Sequence, residues 1–358
     1  MKSEDLLRHR LYNQQLTRPH FTNPTDIVAW LGAVQAQDYA GAKWALGQRL
    51  LGATDETLDQ VFNAGAILRT HVLRPTWHFL APADIRWILA LSAPRVHALN
   101  ALYYRKAELD DAVYKRSKSA LTKALRDGQY LTRAELADVL SRAGIARQGL
   151  ALAYVIMRAE LDGLLCSGPR RGKQFTYALL EERVPPGKAL DPDEALAELV
   201  KRYFMSHGPA LIKDFVSWSS LTVADTKRGL DMLTAGLEQE TIDGKAYWFS
   251  AGQAPATPKT AHLLPNYDEY TLAYKDRDAF YADPQTRQDQ EPRVPTQFPH
   301  TLVLDGRIVG MWRRTLDKST VVVEADFFDA LSDGDLRRFA GALKRYAQFL
   351  GMPVVTAP

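Results

Sequence analysis

The chain has one cysteine, Cys166, in 358 residues. That excludes an intramolecular disulfide and a cysteine-built zinc site, and fits a reducing compartment. Long apolar runs are missing too. The longest, "GLALAYVIM", falls far short of the roughly 20 residues needed to span a bilayer. The opening "MKSEDLLRHR" mixes acids and bases without an apolar segment, so no signal peptide is expected. No single sign of charge dominates, since 45 Lys and Arg stand against 42 Asp and Glu, a formal +3. Such a balance permits a polyanionic partner without demanding one. The reading is of a soluble, cytoplasmic protein. Recognisable cofactor and hydrolase strings are absent as well: no H-E-x-x-H, G-x-S-x-G, Walker A or G-x-G-x-x-G occurs. No metal and no organic cofactor are expected.

What is present is a repeated order of elements. "NPTDIVAWLGAV" opens with Asn23 as N-cap and Pro24 at the first helical position. Two further helical runs follow, and then "AILRTHVLRPTWHFLAP" alternates and is broken at Arg74-Pro75, which signals a hairpin. Helices followed by a hairpin outline a winged helix. The outline returns with the capping box Thr132 to Glu135, a long helix over "GLALAYVIMRAELDGLLCSG" and the basic turn "PRRGKQFTYALL". After the Pro-rich break "RVPPGKALDPDE" it returns again, ending in a hairpin marked by Asp243-Gly244. From Ala251 come a linker, "AHLLPNYDEYTLAY", a long loop, strands turning at Asp305-Gly306, and a closing helix. The expected class is mainly α with β wings (α+β). It comprises three tandem winged-helix units at 1–82, 83–185 and 190–250, and a small β-rich C-terminal unit with a terminal helix at 258–358.

Winged helices point to double-stranded DNA, because such modules place a helix in a groove and lay the wing on the backbone. Arg170, Arg171 and Lys173 fall in the second wing, while Arg307, Arg313 and Arg314 flank the last hairpin. Arg74, Trp77 and His78 lie on the first hairpin. All nine are candidate DNA contacts. Asp268 and Glu269 are adjacent, so their carboxylates point apart and are expected to be solvated. The stretch "AVQAQDYAGAKW" is more pointed. Gln35 and Gln37 share a face only if the chain there is extended, with period two, and Ala36 then turns inward. Two carboxamides so placed can hold a water or read a base edge. A plain polar loop between helices is the alternative.

The stretches "AVQAQDYAGAKWALGQRL", "ILRTHVLRPTWHFL", "LLPNYDEYTLAYKDR" and "GRIVGMWRR" resemble the AlkZ and YcaQ family of bacterial DNA glycosylases, over nearly the whole chain. The resemblance implies tandem winged helices and a polar–apolar–polar catalytic signature, which Gln35-Ala36-Gln37 matches in its AlkZ form. Asp38 comes one residue too late for the YcaQ form. It also implies hydrolysis of the N-glycosidic bond of cationic N7-alkylguanine lesions, unhooking of interstrand crosslinks, and Gln35 and Gln37 as the residues that position the water. The partner implied is duplex DNA carrying alkylated purines, bound by a monomer without membrane or small-molecule cofactor. The rival reading is a non-catalytic winged-helix transcriptional regulator.

Overall fold

The computed structural model describes residues 3–187, 189–252, 259–281, 300–317 and 319–356. Most of the expected linker after Ala251, and of the long loop before His300, lies outside these residues.

The first segment runs α1 (Ser3–Asn13), α2 (Pro24–Leu31), β1 (Val34–Gln35), α3 (Tyr39–Gly47), α4 (Asp55–Ala64), β2 (Leu68–Val72) and β3 (Arg74–Leu80). Asn23 accepts the Thr25 amide, so α2 starts where its cap and Pro24 dictate. The three strands form an antiparallel sheet in the order β1-β3-β2. The second segment runs α5 (Ile85–Lys106), α6 (Asp111–Leu125), β4 (Leu131–Thr132), α7 (Arg133–Arg142), α8 (Gly149–Leu161), β5 (Leu165–Ser167), β6 (Thr176–Leu179) and α9 (Leu180–Arg183). Its sheet has the matching order β4-β6-β5. The expected long helix over "GLALAYVIMRAELDGLLCSG" is shorter. It stops at Leu161, and Gly163, at a φ of 68°, turns the chain into β5.

The third segment has α10 (Pro192–His207), α11 (Ile212–Ser219), α12 (Val223–Asp231) and the hairpin β7 (Leu237–Ile242)–β8 (Lys245–Ser250). Asp243 and Gly244 both take positive φ in its turn, as the sequence signal requires. A bridge from Ala210 to Trp248 supplies the counterpart of β1 and β4. The remainder holds β9 (Ala261–Leu264), α13 (Glu269–Leu272), β10 (Thr301–Leu304), β11 (Arg307–Leu316), β12 (Val321–Phe327), α14 (Asp333–Leu350) and β13 (Val354–Thr356). Its sheet order is β13-β12-β11-β10-β9. α14 does not close the chain as expected, since β13 follows it and pairs parallel with β12.

The apolar cores cross the segment boundaries. Leu6, Leu7 and Leu11 of α1 share one core with Tyr203 and Phe204 of α10 and Tyr270 of α13. Trp44 of α3 packs against Tyr346 and Phe349 of α14, with ring centroids 4.8 and 5.1 Å apart. A third core, from Ala93 to Leu179, stays within the second segment. β1 thus lies where the first segment meets the C-terminal one.

Candidate active site

Gly32 ends α2 at a φ of 79°, and the chain then runs extended. Val34 pairs with Phe79 and Gln35 with His78, so the Gln35-Ala36-Gln37 stretch edges the β2–β3 sheet. Ala36 is fully buried, but Val34 and Gln35 are buried too, at 1% and 6% exposed, so burial does not alternate along the stretch as period two would have it. The Ala36 N–H donates to the Trp77 carbonyl at 2.7 Å, and the Ala36 carbonyl accepts Arg69 Nε–H at 2.9 Å. The Arg69 guanidinium is sandwiched between the rings of Trp77 (4.3 Å) and Phe175 (4.4 Å), and burial lowers its pKa to about 10. The Gln35 N–H donates to Glu269 Oε1 at 2.9 Å. Asp38 is committed elsewhere: it caps α3 by accepting the Gly41 N–H at 3.1 Å. A Cβ on Gly41 would sit 2.9 Å from Asp38 Oδ2 and 3.0 Å from Asn266 Oδ1, so glycine permits this close approach.

The two carboxamides sit at different depths. Gln35 is 6% exposed, and its Oε1 has no hydrogen-bond partner among the described residues. Gln37 is exposed; its Oε1 accepts the Trp77 N–H at 3.4 Å, and it lines a cavity of about 390 Å³ together with His71, Trp77, Tyr103, Leu150 and Tyr154.

Behind the strand lies a buried polar cluster. Glu269 Oε2 accepts Trp218 Nε1–H at 2.9 Å and lies 3.5 Å from His207 Nε2. Burial alone would raise the Glu269 carboxyl. The adjacent His207, Arg74 and the Gln35 amide outweigh it and hold the carboxyl below the usual range, so it is ionised at neutral pH. Arg74 donates to the Trp218 carbonyl, and its other nitrogen meets His78 Nε2 at 3.1 Å. Burial, with Arg74 alongside, pushes the fully buried His78 down to about 3, so its ring is neutral. Asp268 and Glu269 are thus not solvated as expected. Asp268 is buried in a two-pronged pair with Arg49, at 2.7 and 2.9 Å, and caps α13 by accepting the Tyr270 N–H.

Residues 28–349 match the family model described as "DNA glycosylase AlkZ-like". The chain belongs to the AlkZ-like DNA glycosylase family. A curated relative from Streptomyces sahachiroi, an "Interstrand DNA cross-link repair glycosylase", is 27% identical over 331 residues, covering 87% of each chain. A solved structure, Streptomyces sahachiroi DNA glycosylase AlkZ, superposes with a TM-score of 0.82 over 100% of both chains at 23% identity, which shows the shared α+β fold. The chain is therefore a DNA glycosylase.

In this glycosylase the basic candidates separate by placement. Arg170 bonds Asp59 at 3.4 Å and lies over the Tyr39 ring, tying the second segment to α4. Arg171 pairs with Glu135 at 2.8 Å. Arg307 donates to the Tyr281 carbonyl at 3.2 Å, and Arg314 to the Tyr346 hydroxyl. Arg74 and His78 turn inward, as described. Lys173 and Arg313 are exposed, and Trp77 is half-buried at the cavity. Lys43, the amine nearest the glutamines in sequence, is buried between Asp55 and Asp59 at 2.8 and 3.0 Å. Among the described residues no group of three or more His, Cys, Asp or Glu side chains could hold a metal, and no helix is long and apolar enough to cross a membrane. Sequence reasoning missed Glu269, Trp218, His207 and Arg69 as partners of the element. A signal for Glu269 existed in "LLPNYDEYTLAY", whose acids are flanked by apolar and aromatic residues on both sides.

Proposed function

We propose that this glycosylase removes cationic N7-alkylguanines from duplex DNA and unhooks interstrand crosslinks formed through them, with Gln35 and Gln37 positioning the attacking water. The observation that carries the reading is the anchoring of Gln35-Ala36-Gln37. The Gln35 and Ala36 amides and the Ala36 carbonyl are all bonded, while the buried Gln35 Oε1 keeps an acceptor site that no described residue fills. The crosslink activity is supported by the name of the Streptomyces relative.

The chemistry asks little of a base. An N7-alkylated guanine carries positive charge, so when the bond from C1′ to N9 breaks, the electron pair enters the ring and neutralises it. The sugar is left oxocarbenium-like. Water then bonds to C1′ and gives its proton to solvent or a neighbouring phosphate. Placement of that water is the catalytic demand, and amide carbonyls meet it. Lys43 is held by two carboxylates, which fits a monofunctional hydrolase without an amine nucleophile.

The matching orders β1-β3-β2 and β4-β6-β5, with the Ala210–Trp248 bridge beside β8, support three tandem winged helices at 1–82, 83–185 and 190–250, followed by the unit at 258–358. These are units of topology rather than of packing. Of the nine candidate DNA contacts, Trp77, Lys173 and Arg313 meet the duplex. Arg74, His78, Arg170, Arg171, Arg307 and Arg314 act through the residues they hold. The protein works as a cytoplasmic monomer.

The test is single-turnover excision from a duplex carrying one N7-methylguanine, read by alkaline cleavage of the abasic site. Gln35→Ala and Gln37→Ala each lower the rate, and the double variant is nearly inactive, with thermal melting and affinity for undamaged duplex retained. Gln37→Glu keeps more activity than Gln37→Ala, because it preserves shape and acceptor oxygens. Wild-type protein that binds duplex but releases no N7-alkylated base refutes the substrate assignment.

A further inference from the structure

The cavity beside Gln37 has an unusual lip. Leu150, at the start of α8, is 75% exposed, and Tyr103 on α5 is 50% exposed; both line the cavity with Gln37. Leu99 and Leu102 are about half exposed as well, and with Tyr103 they recur at the i, i+3, i+4 spacing of one helix face. A lone exposed leucine needs no explanation, but a contiguous apolar patch marks an interaction surface. Cations edge it. Arg105 and Lys106 follow on the last turn of α5 and are exposed, and Arg133, itself a cavity residue, holds the Gly149 carbonyl at 3.1 Å and so steadies the turn that presents Leu150. Apolar tips rimmed by cations suit a duplex, whose phosphates meet the rim while the tips meet the bases. Inside, Tyr154 stacks with Tyr103 at 6.0 Å and 22°. Trp77 is fixed by Arg69 and by the His71 ring, 4.3 Å away.

We propose that Leu150 and Tyr103 form a wedge that enters the base stack of duplex DNA beside the lesion, and that the cavity they share with Gln37 receives the displaced purine beside Trp77 and Tyr154. The proposal rests on the placement of Gln37 at the reacting site. Architectural proteins pry base steps apart with apolar side chains in this way, and enzymes acting on a base draw it out of the stack into aromatic surroundings. A cavity of about 390 Å³ has room for a purine with a substituent, and its open side lets a base still tethered to the other strand be displaced only part-way.

The experiment uses the full chain and a duplex in which N7-methylguanine sits on a 2′-fluoroarabino sugar, which resists cleavage, beside 2-aminopurine as a stacking reporter. Wild-type binding raises the 2-aminopurine fluorescence severalfold. Leu150→Ala and Tyr103→Ala remove most of that rise. On the cleavable duplex each slows single-turnover excision roughly tenfold, which for Tyr103 is the range of one lost base–aromatic stack. When the lesion lies in an unpaired bulge the loss is below about twofold, because the stack is already open. Leu150→Met keeps the wedge and near-normal rates. Three results overturn the proposal: no fluorescence rise with wild type, variants that excise normally from paired duplex, or variants that lose equally on bulged and paired DNA. A shift from dimer to monomer in Leu150→Ala also overturns it, by making the patch a contact between copies of the chain. Failure of wild type to release N7-methylguanine from either duplex strikes the substrate assignment instead, and the uncleavable duplex still judges the wedge.

Discussion

Glu269→Ala is the sharpest structural perturbation of the site, because one side chain from α13 holds a strand 234 positions away. Removing it orphans the Gln35 N–H and the Trp218 Nε1–H, both buried and both 2.9 Å from the carboxylate. Each buried donor left unmade costs about 1–3 kcal/mol. Deleting one member of a buried charged cluster costs about 3–5 kcal/mol in all, so a loss of about 4 kcal/mol is expected, a large part of the usual 5–15 kcal/mol. Glu269→Gln keeps the volume and one acceptor for Gln35 but turns an amide N–H₂ toward Trp218, and about 2 kcal/mol is expected. Urea denaturation with matched slopes measures both values, and hydrogen exchange at the Gln35 amide reports the local loss. The folded carboxyl is held below its ordinary value, so its contribution is full above about pH 5 and fades as pH falls through the folded value. The gap between wild type and Glu269→Gln therefore narrows under acid. A Glu269→Ala protein within about 1 kcal/mol of wild type, with unchanged Gln35 exchange, refutes the assignment of Glu269 as the anchor.

Two other expectations are simpler. Lys173→Ala and Arg313→Ala each make the salt dependence of duplex binding shallower by about one unit, whereas Arg314→Ala, whose side chain is held by Tyr346, leaves the slope unchanged; identical slopes for all three remove the first two from the interface. Single-turnover excision of N7-methylguanine is nearly flat from roughly pH 5.5 to 8, since amides do not titrate; a clear step within that window refutes the assignment of the catalytic role to the amide pair.

Local signals survived translation into structure where a residue's neighbours in sequence are also its partners in space. Asn23, Thr132 and the Asp-Gly turns govern their own caps and hairpins. The Gln35-Ala36-Gln37 stretch could be picked out as a connection between helices, but not its caps, Gly32 and Asp38, nor the different depths of its two amides. Two kinds of feature were not legible. The depth of a charged residue depends on what folds over it. Asp268 and Glu269 read as solvated because their partners, Arg49, Trp218 and His207, are remote in sequence. The purpose of a cation is hidden for the same reason. Arg170 and Arg171 look like a free basic wing until Asp59 and Glu135 arrive beside them. The exposed Leu150 carried the opposite ambiguity, since α8 is apolar from Leu150 to Met157 and only the fold tells which end of that run is left uncovered.

The division of charge around the strand bears on the proposed mechanism. Glu269 accepts the Gln35 N–H, with His207 Nε2 3.5 Å from its other oxygen and Arg74 near enough to help keep it ionised. Its oxygens are spent on the Gln35 amide and the Trp218 indole, and it serves to hold the strand. Arg69 is likewise spent on the Ala36 carbonyl and two rings. Neither glutamine carries charge. In the proposed mechanism stabilisation of the oxocarbenium then falls to the phosphates of the DNA itself, and the driving force to the positive charge already on the leaving base. An enzyme arranged this way supplies position rather than charge. It should discriminate steeply against neutral purines, which need an acid to leave, and mildly among cationic ones, whatever their N7 substituent.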